Sequence, residues 1–383
     1  MNTADVVIIG GGIAGASLAY RLAGRCRTVL LEAEPHPGYH ATGRSAALFT
    51  GCYGKEPVRA LADASRDFLL HPPAALGASA LATRRGVLWI AREDQAARLA
   101  DFRAQLSATR AGLQDCTPDT AQRLCPALRS GYAAAAALEP EAFDIDVHAL
   151  LQAFLRVFRR ASGSLVTSAP VVGLRRVGAC WHVEAASEHY ECPVVVNAAG
   201  AWADEIAALA GVLPIGLAPK RRTAITFDIQ GVDAAQVSLG QWPCVIDVDE
   251  TFYFKPDAGR VLASPGDETL SAPGDVQAED FDIAVAVDRI ETATTLQVGR
   301  VAARWAGLRS FVADGLPVVG MDPEAQGFFW LAAQGGYGIM TSPAVSALAA
   351  GLIAGDRSGD PDLANIVAPR RPPRGTLAAR KPA

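Results

Sequence analysis

Residues 6–32 read VVIIGGGIAGASLAYRLAGRCRTVLLE. Val6–Ile9 is a continuous apolar run, the pattern of a strand buried on both faces of a parallel sheet. Ile13–Ala23 reads as a helix and Thr28–Leu31 as a second buried strand ending at Glu32, which makes β-α-β within about 30 residues. Between the first strand and the helix stands Gly10-x-Gly12-x-x-Gly15. Gly10 permits the tight turn, Gly12 lets backbone approach a pyrophosphate, and Gly15 lets the helix pack close to the sheet. The helix start at Ile13 and Ala14 offers unpaired N–H groups to phosphates. Glu32, followed by Ala33, is placed to accept hydrogen bonds from ribose hydroxyls and to repel a 2′-phosphate, which disfavours an NADP-type ligand. A dinucleotide site follows, without a choice between NAD and FAD.

The 383 residues are 50% hydrophobic and 20% charged, with a net charge of −5. These values exclude a disordered or fibrous chain and suggest two or three domains. The acidic balance, with no basic stripe before the extreme C-terminus, argues against nucleic acid as a partner. Seven cysteines are scattered and never in C-x-x-C spacing. That pattern argues against disulfides, a zinc site or a redox dithiol and fits a reducing cytoplasm. No apolar run approaches the ~20 residues of a transmembrane helix, and the apolar start lacks the basic leading region of a signal peptide.

Further along, residues 92–112 read as an exposed helix with Leu99, Phe102 and Leu106 inward. Asp146–Arg160 reads as an amphipathic helix through Val147, Leu150, Leu151, Phe154 and Phe158, with Asp144 and Asp146 as helix-start residues. Residues 165–196 alternate as antiparallel strands, leading into ECPVVVNAAGAW (191–202); 222–264 has strand character and 283–298 is helical. The tail 369–383 reads as disordered. His148 and His182 read as surface residues, and His36 and His40 lack the spacing of a metal site.

Four blocks carry a resemblance. HPGYHATGRSAALFTGCYG (36–54), VVVNAAGAWA (194–203), RSFVADGLPVVG (309–320) and AAQGGYGIMTSPAVSALAAGLI (332–353), together with the opening fingerprint, resemble the D-amino acid oxidase superfamily of FAD enzymes. The resemblance implies a Rossmann-like FAD-binding domain of mixed α/β and α+β class, interleaved with an antiparallel-sheet substrate domain. It divides the chain into 1–80, 142–213 and 306–368 for FAD, and 81–141 and 214–305 for substrate. The FAD is non-covalent, because the cysteine or histidine of the covalent branches has no match. Its implied contacts, beyond the opening motif, are Gly43, Arg44, Ser45 and Ala46; Val171, Ala199, Gly200 and Trp202; and Gly335, Gly336, Tyr337, Gly338 and Ile339. The helix that follows points its amino end at the flavin N1–C2=O edge, where charge builds up on reduction. No second G-x-G-x-x-G is present, which disfavours a pyridine-nucleotide reductase.

Within the superfamily the chain is most similar to D-amino acid dehydrogenases of the D-arginine dehydrogenase type, through PGYHATGRSAA, APKRRTAITF, FYFKPDAG, WAGLRSFVADG and AAQGGYGI. This implies oxidative deamination of a D-amino acid to the 2-oxo acid and ammonia, by hydride transfer from the α carbon to flavin N5. Electrons then pass to a quinone, a carrier or oxygen. Arg222 and Arg309 are implied to bind the substrate carboxylate, the chemistry an arginine fork suits. Tyr253 and Tyr53 add phenolic hydrogen bonds, and the Gly336 carbonyl accepts from the amine. Two positions depart from that type: Gly86 stands where it carries an acid, and Leu48 where it carries a histidine. A cationic side chain then lacks its counter-charge, so a neutral, apolar D-amino acid is expected. A secondary-amine or glycine oxidase, a 2-hydroxy acid dehydrogenase and a non-catalytic flavin-binding protein are the alternatives. An NAD-dependent dehydrogenase has only the opening glycine fingerprint in its favour.

Overall fold

The computed structural model describes residues 2–77, 80–106, 112–186, 188–229, 241–356 and 361–370. Val6–Ile9, buried throughout, pairs in parallel with Thr28–Leu31 on one side and Val194–Asn197 on the other. Ser164–Val166 and Phe328–Ala332 extend the sheet in parallel at either side, and Val318–Met321 closes one edge antiparallel. Successive strand residues face opposite layers. Val6 and Ile8 therefore join a core with Leu18, Leu61, Phe154 and Phe158 from the helices Ile13–Leu22, Glu56–Leu70 and Val147–Arg160. Val7 and Ile9 join a second core with Trp181, Phe328 and Trp330, under the antiparallel strands Val171–Val177, Cys180–Ala185 and Glu188–Cys192.

A nine-stranded sheet lies alongside. Ala218–Ile229 pairs along its length with Val298–Phe311, and on its other edge with Arg260–Ser264 and Thr269–Leu270. Tyr253–Asp257, Cys244–Asp247, Val87–Ala91, Ala135–Glu139 and Gln114–Cys116 follow in order. One face packs Ile225, Phe227, Phe254 and Ala263 against Ile290 of the helix Asp280–Ala293. By the two-residue alternation, Arg222, Ala224, Tyr253, Gly307 and Arg309 fall on the opposite face. The strands of the parallel sheet all come from 1–80, 142–213 and 306–368. Those of the large sheet come from 81–141 and 214–311, since Val298–Phe311 runs across position 305.

Several local expectations are corrected. Ser164–Val166 belongs to the parallel sheet, because the preceding helix crosses over and returns the chain beside Thr28–Leu31; only Val171–Cys192 is antiparallel. Asp146 does cap its helix, accepting from Ala149 N at 2.8 Å. Asp144 instead lies on the strand Phe143–Ile145, where it accepts from Arg85 Nε at 2.8 Å and Lys255 Nζ at 2.7 Å. The 92–112 segment is a 3-10 turn followed by the helix Ala96–Leu106, with Leu99 and Leu106 buried and Phe102 half-buried. Residues 107–111 lie outside the described residues. The helix expected at 283–298 spans Asp280–Ala293 and ends where Thr294 Oγ1 donates to the Ile290 carbonyl at 2.6 Å. The tail expectation falls, beyond Arg370, outside the described residues. Among those residues no helix is long and apolar enough to cross a membrane.

Candidate cofactor and substrate site

A cavity of about 860 Å³ opens at the carboxyl ends of the parallel strands, beneath the large-sheet face that bears Arg222 and Arg309. Its place is the topological switch point, where the chain leaves Val6–Ile9 for neighbours on both sides. Its size falls within the ~300–1,000 Å³ of ligand clefts.

At the dinucleotide end, Gly10 adopts φ +110°, and a side chain there would run into the Ala198 carbonyl. Gly12, Ile13 and Ala14 line the cavity at the helix start. Gly15 does not line it. A methyl group there would overlap the Gly10 carbonyl, so Gly15 sets the helix-to-strand spacing. Glu32 accepts from Gly11 N and Glu34 N, both at 2.8 Å, and its burial raises its pKa. Each oxygen keeps acceptor capacity for a ribose hydroxyl. Ala33, Val171, Ala199, Gly200 and Trp202 line the same end. The His40 ring lies 4.6 Å from Trp202 and its Nε2 is 2.8 Å from Glu34 Oε1.

Arg44, Ser45 and Ala46 line the middle. The Arg44 guanidinium stitches its loop to the second sheet, donating to the Val276 and Ala306 carbonyls at 3.0 Å and to Asp275 Oδ1 at 2.5 Å. Gly43 stays off the cavity wall; its N–H donates to the Gly38 carbonyl at 2.8 Å, tightening the loop. Thr42 escaped the sequence reading: its Oγ1 accepts from Ile13 N at 3.0 Å across 29 residues, a pairing no local pattern announces.

At the far end Gly335, with φ +52°, Gly336, Gly338 and Ile339 line the wall, where the helix Gly338–Ile353 begins without a side-chain cap. Tyr337 turns away, its ring packing on Tyr53 and Phe311 at centroid distances of 5.2 and 6.2 Å. Gln334 lines the cavity, and among the described residues its buried Nε2 has no hydrogen-bond partner. Such an orphaned donor is costly unless a ligand meets it.

Arg222 and Arg309 project from the paired strands, with Lys220 opposite Arg309 and Arg222 opposite Gly307. Arg222 Nε donates to the Asp267 carbonyl at 2.7 Å, and its Nη2 is 3.4 Å from Glu268 Oε1. Arg309 is half-buried. Among the described residues its guanidinium makes one hydrogen bond, from Nη1 to Tyr53 Oη at 3.2 Å. Burial and repulsion from Arg309 lower the Arg222 pKa. At Arg309 burial opposes the charge, but the Tyr53 and Tyr253 oxygens and Glu250 outweigh it and raise the pKa. The two guanidiniums line one cavity and repel each other, and an anion bound between them would relieve that repulsion. Tyr253 and Gly336 line the wall beside them; Tyr53 stands behind Arg309. Among the described residues no group of three or more His, Cys, Asp or Glu is placed to hold a metal.

Strand, glycine turn, acid and glycine-rich far end together form a dinucleotide-binding arrangement. A family model described as DAO, FAD dependent oxidoreductase, matches residues 5–352, and the chain belongs to that family. It is 28% identical over 283 residues to mitochondrial dimethylglycine dehydrogenase of Homo sapiens, covering 69% of this chain and 30% of that protein. It is 25% identical over 350 residues to mitochondrial sarcosine dehydrogenase of Homo sapiens, covering 86% of this chain and 37% of that protein. The chain thus spans about a third of the length of these relatives. A glycine oxidase structure from Geobacillus kaustophilus aligns with a TM-score of 0.84 at 21% identity, covering 98% of this chain and 100% of that one.

The cofactor is FAD, and the unpartnered Gln334 amide, the side-chain-free turn at Gly10 and the uncapped helix at Gly338 fit it. Stripping FAD is expected to lower the melting temperature, and re-adding it at 100 times its Kd restores about 2.7 kcal/mol, a shift of several degrees. Calorimetry with and without FAD checks this; no shift contradicts binding in the folded state.

Proposed function

We propose that the chain oxidises the C–N bond of a small amino acid, with glycine and N-methylated glycines as the first substrate class. The observation that carries this is the pair Arg222 and Arg309 on one sheet face, at the end of the cavity walled by Gly335 and Gly336. A planar guanidinium fork binds a carboxylate bidentately and so fixes the direction of the α carbon. FAD held along Gly10, Gly12, Glu32 and Gln334 would supply the two-electron acceptor for the hydride that leaves this carbon. Tyr253 adds a phenolic donor at the wall, Tyr53 orients Arg309 from behind, and the Gly336 carbonyl accepts from the amine. The names of the relatives support the glycine-type class.

A second reading, a D-amino acid with a neutral side chain, draws on the motif resemblance and on Gly86. Gly86 adopts φ +74°, and its backbone pairs with Ala142 and Cys244. An acidic residue there would be strained, so the position supplies no counter-charge for a cationic substrate. Turnover of glycine, N-methylglycine, N,N-dimethylglycine, D-alanine, D-leucine and D-arginine with an artificial electron acceptor separates the readings. N-methylglycine is expected to give the highest kcat/KM. D-leucine ranking first favours the second reading, and D-arginine ranking first overturns both.

A further inference from the structure

Glu139 ends the strand Ala135–Glu139 and is fully buried, at 0% exposure. Among the described residues its carboxylate forms no salt bridge. A buried carboxylate without a cation is costly and persists only where hydrogen bonds hold it. Two of them come from one loop: Thr50 Oγ1 donates to Oε2 at 2.6 Å and Gly51 N to Oε1 at 2.7 Å. Thr50 Oγ1 in turn accepts from Cys52 N at 3.2 Å. Three consecutive residues are thus fixed immediately before Tyr53. The Tyr53 hydroxyl meets Arg309 Nη1 at 3.2 Å, and its ring rests on Tyr337.

We propose that Glu139 is a positioning residue for the carboxylate clamp, holding Thr50, Gly51 and Cys52 so that the Tyr53 hydroxyl orients the Arg309 guanidinium into the cavity. This rests on the reading of Arg309 as a carboxylate binder. Glu139 lies on the large sheet and its loop leads from the nucleotide-binding half, so the link also sets the two halves of the site relative to each other.

The test is a double-mutant cycle on the FAD-loaded protein, with benzoate and acetate as monocarboxylate probes and the visible flavin spectrum as readout. Glu139→Ala is expected to weaken benzoate about fivefold, the equivalent of one lost hydrogen bond. In a Tyr53→Phe background the same change is expected to weaken it by less than about twofold, because the link is already cut. An unchanged Kd in Glu139→Ala, or effects that multiply independently of Tyr53, overturns the proposal even if the melting temperature falls. Should Glu139→Ala not fold, Thr50→Val cuts the same link from the loop side. It is expected to weaken benzoate about threefold only when Tyr53 is present, and an unchanged Kd again overturns the proposal. If neither probe perturbs the wild-type spectrum, the clamp itself is wrong and the role of Glu139 falls with it.

Discussion

Arg309→Met is expected to lower kcat/KM for a carboxylate-bearing amine by about 150-fold, mostly through KM, with little change in melting temperature. The loss corresponds to about 3 kcal/mol, the range for removing one member of a partly buried charge pair. Methionine fills similar space without leaving a charge behind. Among the described residues the guanidinium it replaces has one hydrogen-bond partner, the Tyr53 hydroxyl, which loses a donor but keeps its contact with Tyr337. Arg309→Lys keeps the charge and loses the fork, so its loss is expected to be intermediate, about 20-fold. Arg222 is a poorer probe, since its guanidinium also holds the Asp267 carbonyl and its removal disturbs the sheet edge. Steady-state kinetics decide the matter: an unchanged KM in Arg309→Met removes the carboxylate from this end of the cavity.

Gly15→Ala is expected to yield protein that has lost FAD and melts well below wild type. The added methyl overlaps the Gly10 carbonyl and lies 3.2 Å from Ile8 Cγ2, so relief comes only by moving the helix Ile13–Leu22 off the sheet. Such overpacking costs about 1–3 kcal/mol or more, and the displacement carries the cavity-lining helix start at Ile13 and Ala14 away with it. Gly131→Ala is the control. Its φ is positive, +77°, unlike that of the helical Gly15, but among the described residues no atom lies within 4 Å of a new methyl, so only backbone strain of about 1 kcal/mol is expected, with FAD retained. Absorbance and thermal melts of both variants check this, and equal FAD content in the two contradicts the spacing role of Gly15.

These two predictions differ in how far the sequence carries them. Gly10, Gly12, Gly15 and Glu32 are legible because backbone geometry and ribose chemistry demand those residue types within one βαβ unit. The helix from Val147 was legible for the same local reason, through its periodic apolar face and its Asp146 cap. Arg222 and Arg309 are not legible from spacing, since a strand arginine is ordinarily a surface residue. They meet only through the register that sets Lys220 against Arg309, and resemblance alone singled them out. Contacts spanning long stretches of chain had no signal: Thr50 with Glu139 is 89 residues apart and Arg44 with Asp275 is 231. The misplacement of Asp144 has the same origin, because Arg85 and Lys255 reach it from other strands.

The most direct measurement is anaerobic mixing of the FAD-loaded protein with glycine, N-methylglycine, D-alanine and, as the partner control, dimethylamine, while following the visible flavin band. If Arg222 and Arg309 hold a substrate carboxylate beside FAD, at least one of the three amino acids bleaches the band and dimethylamine does not. Bleaching by dimethylamine to the same extent, or by none of the four, would contradict it.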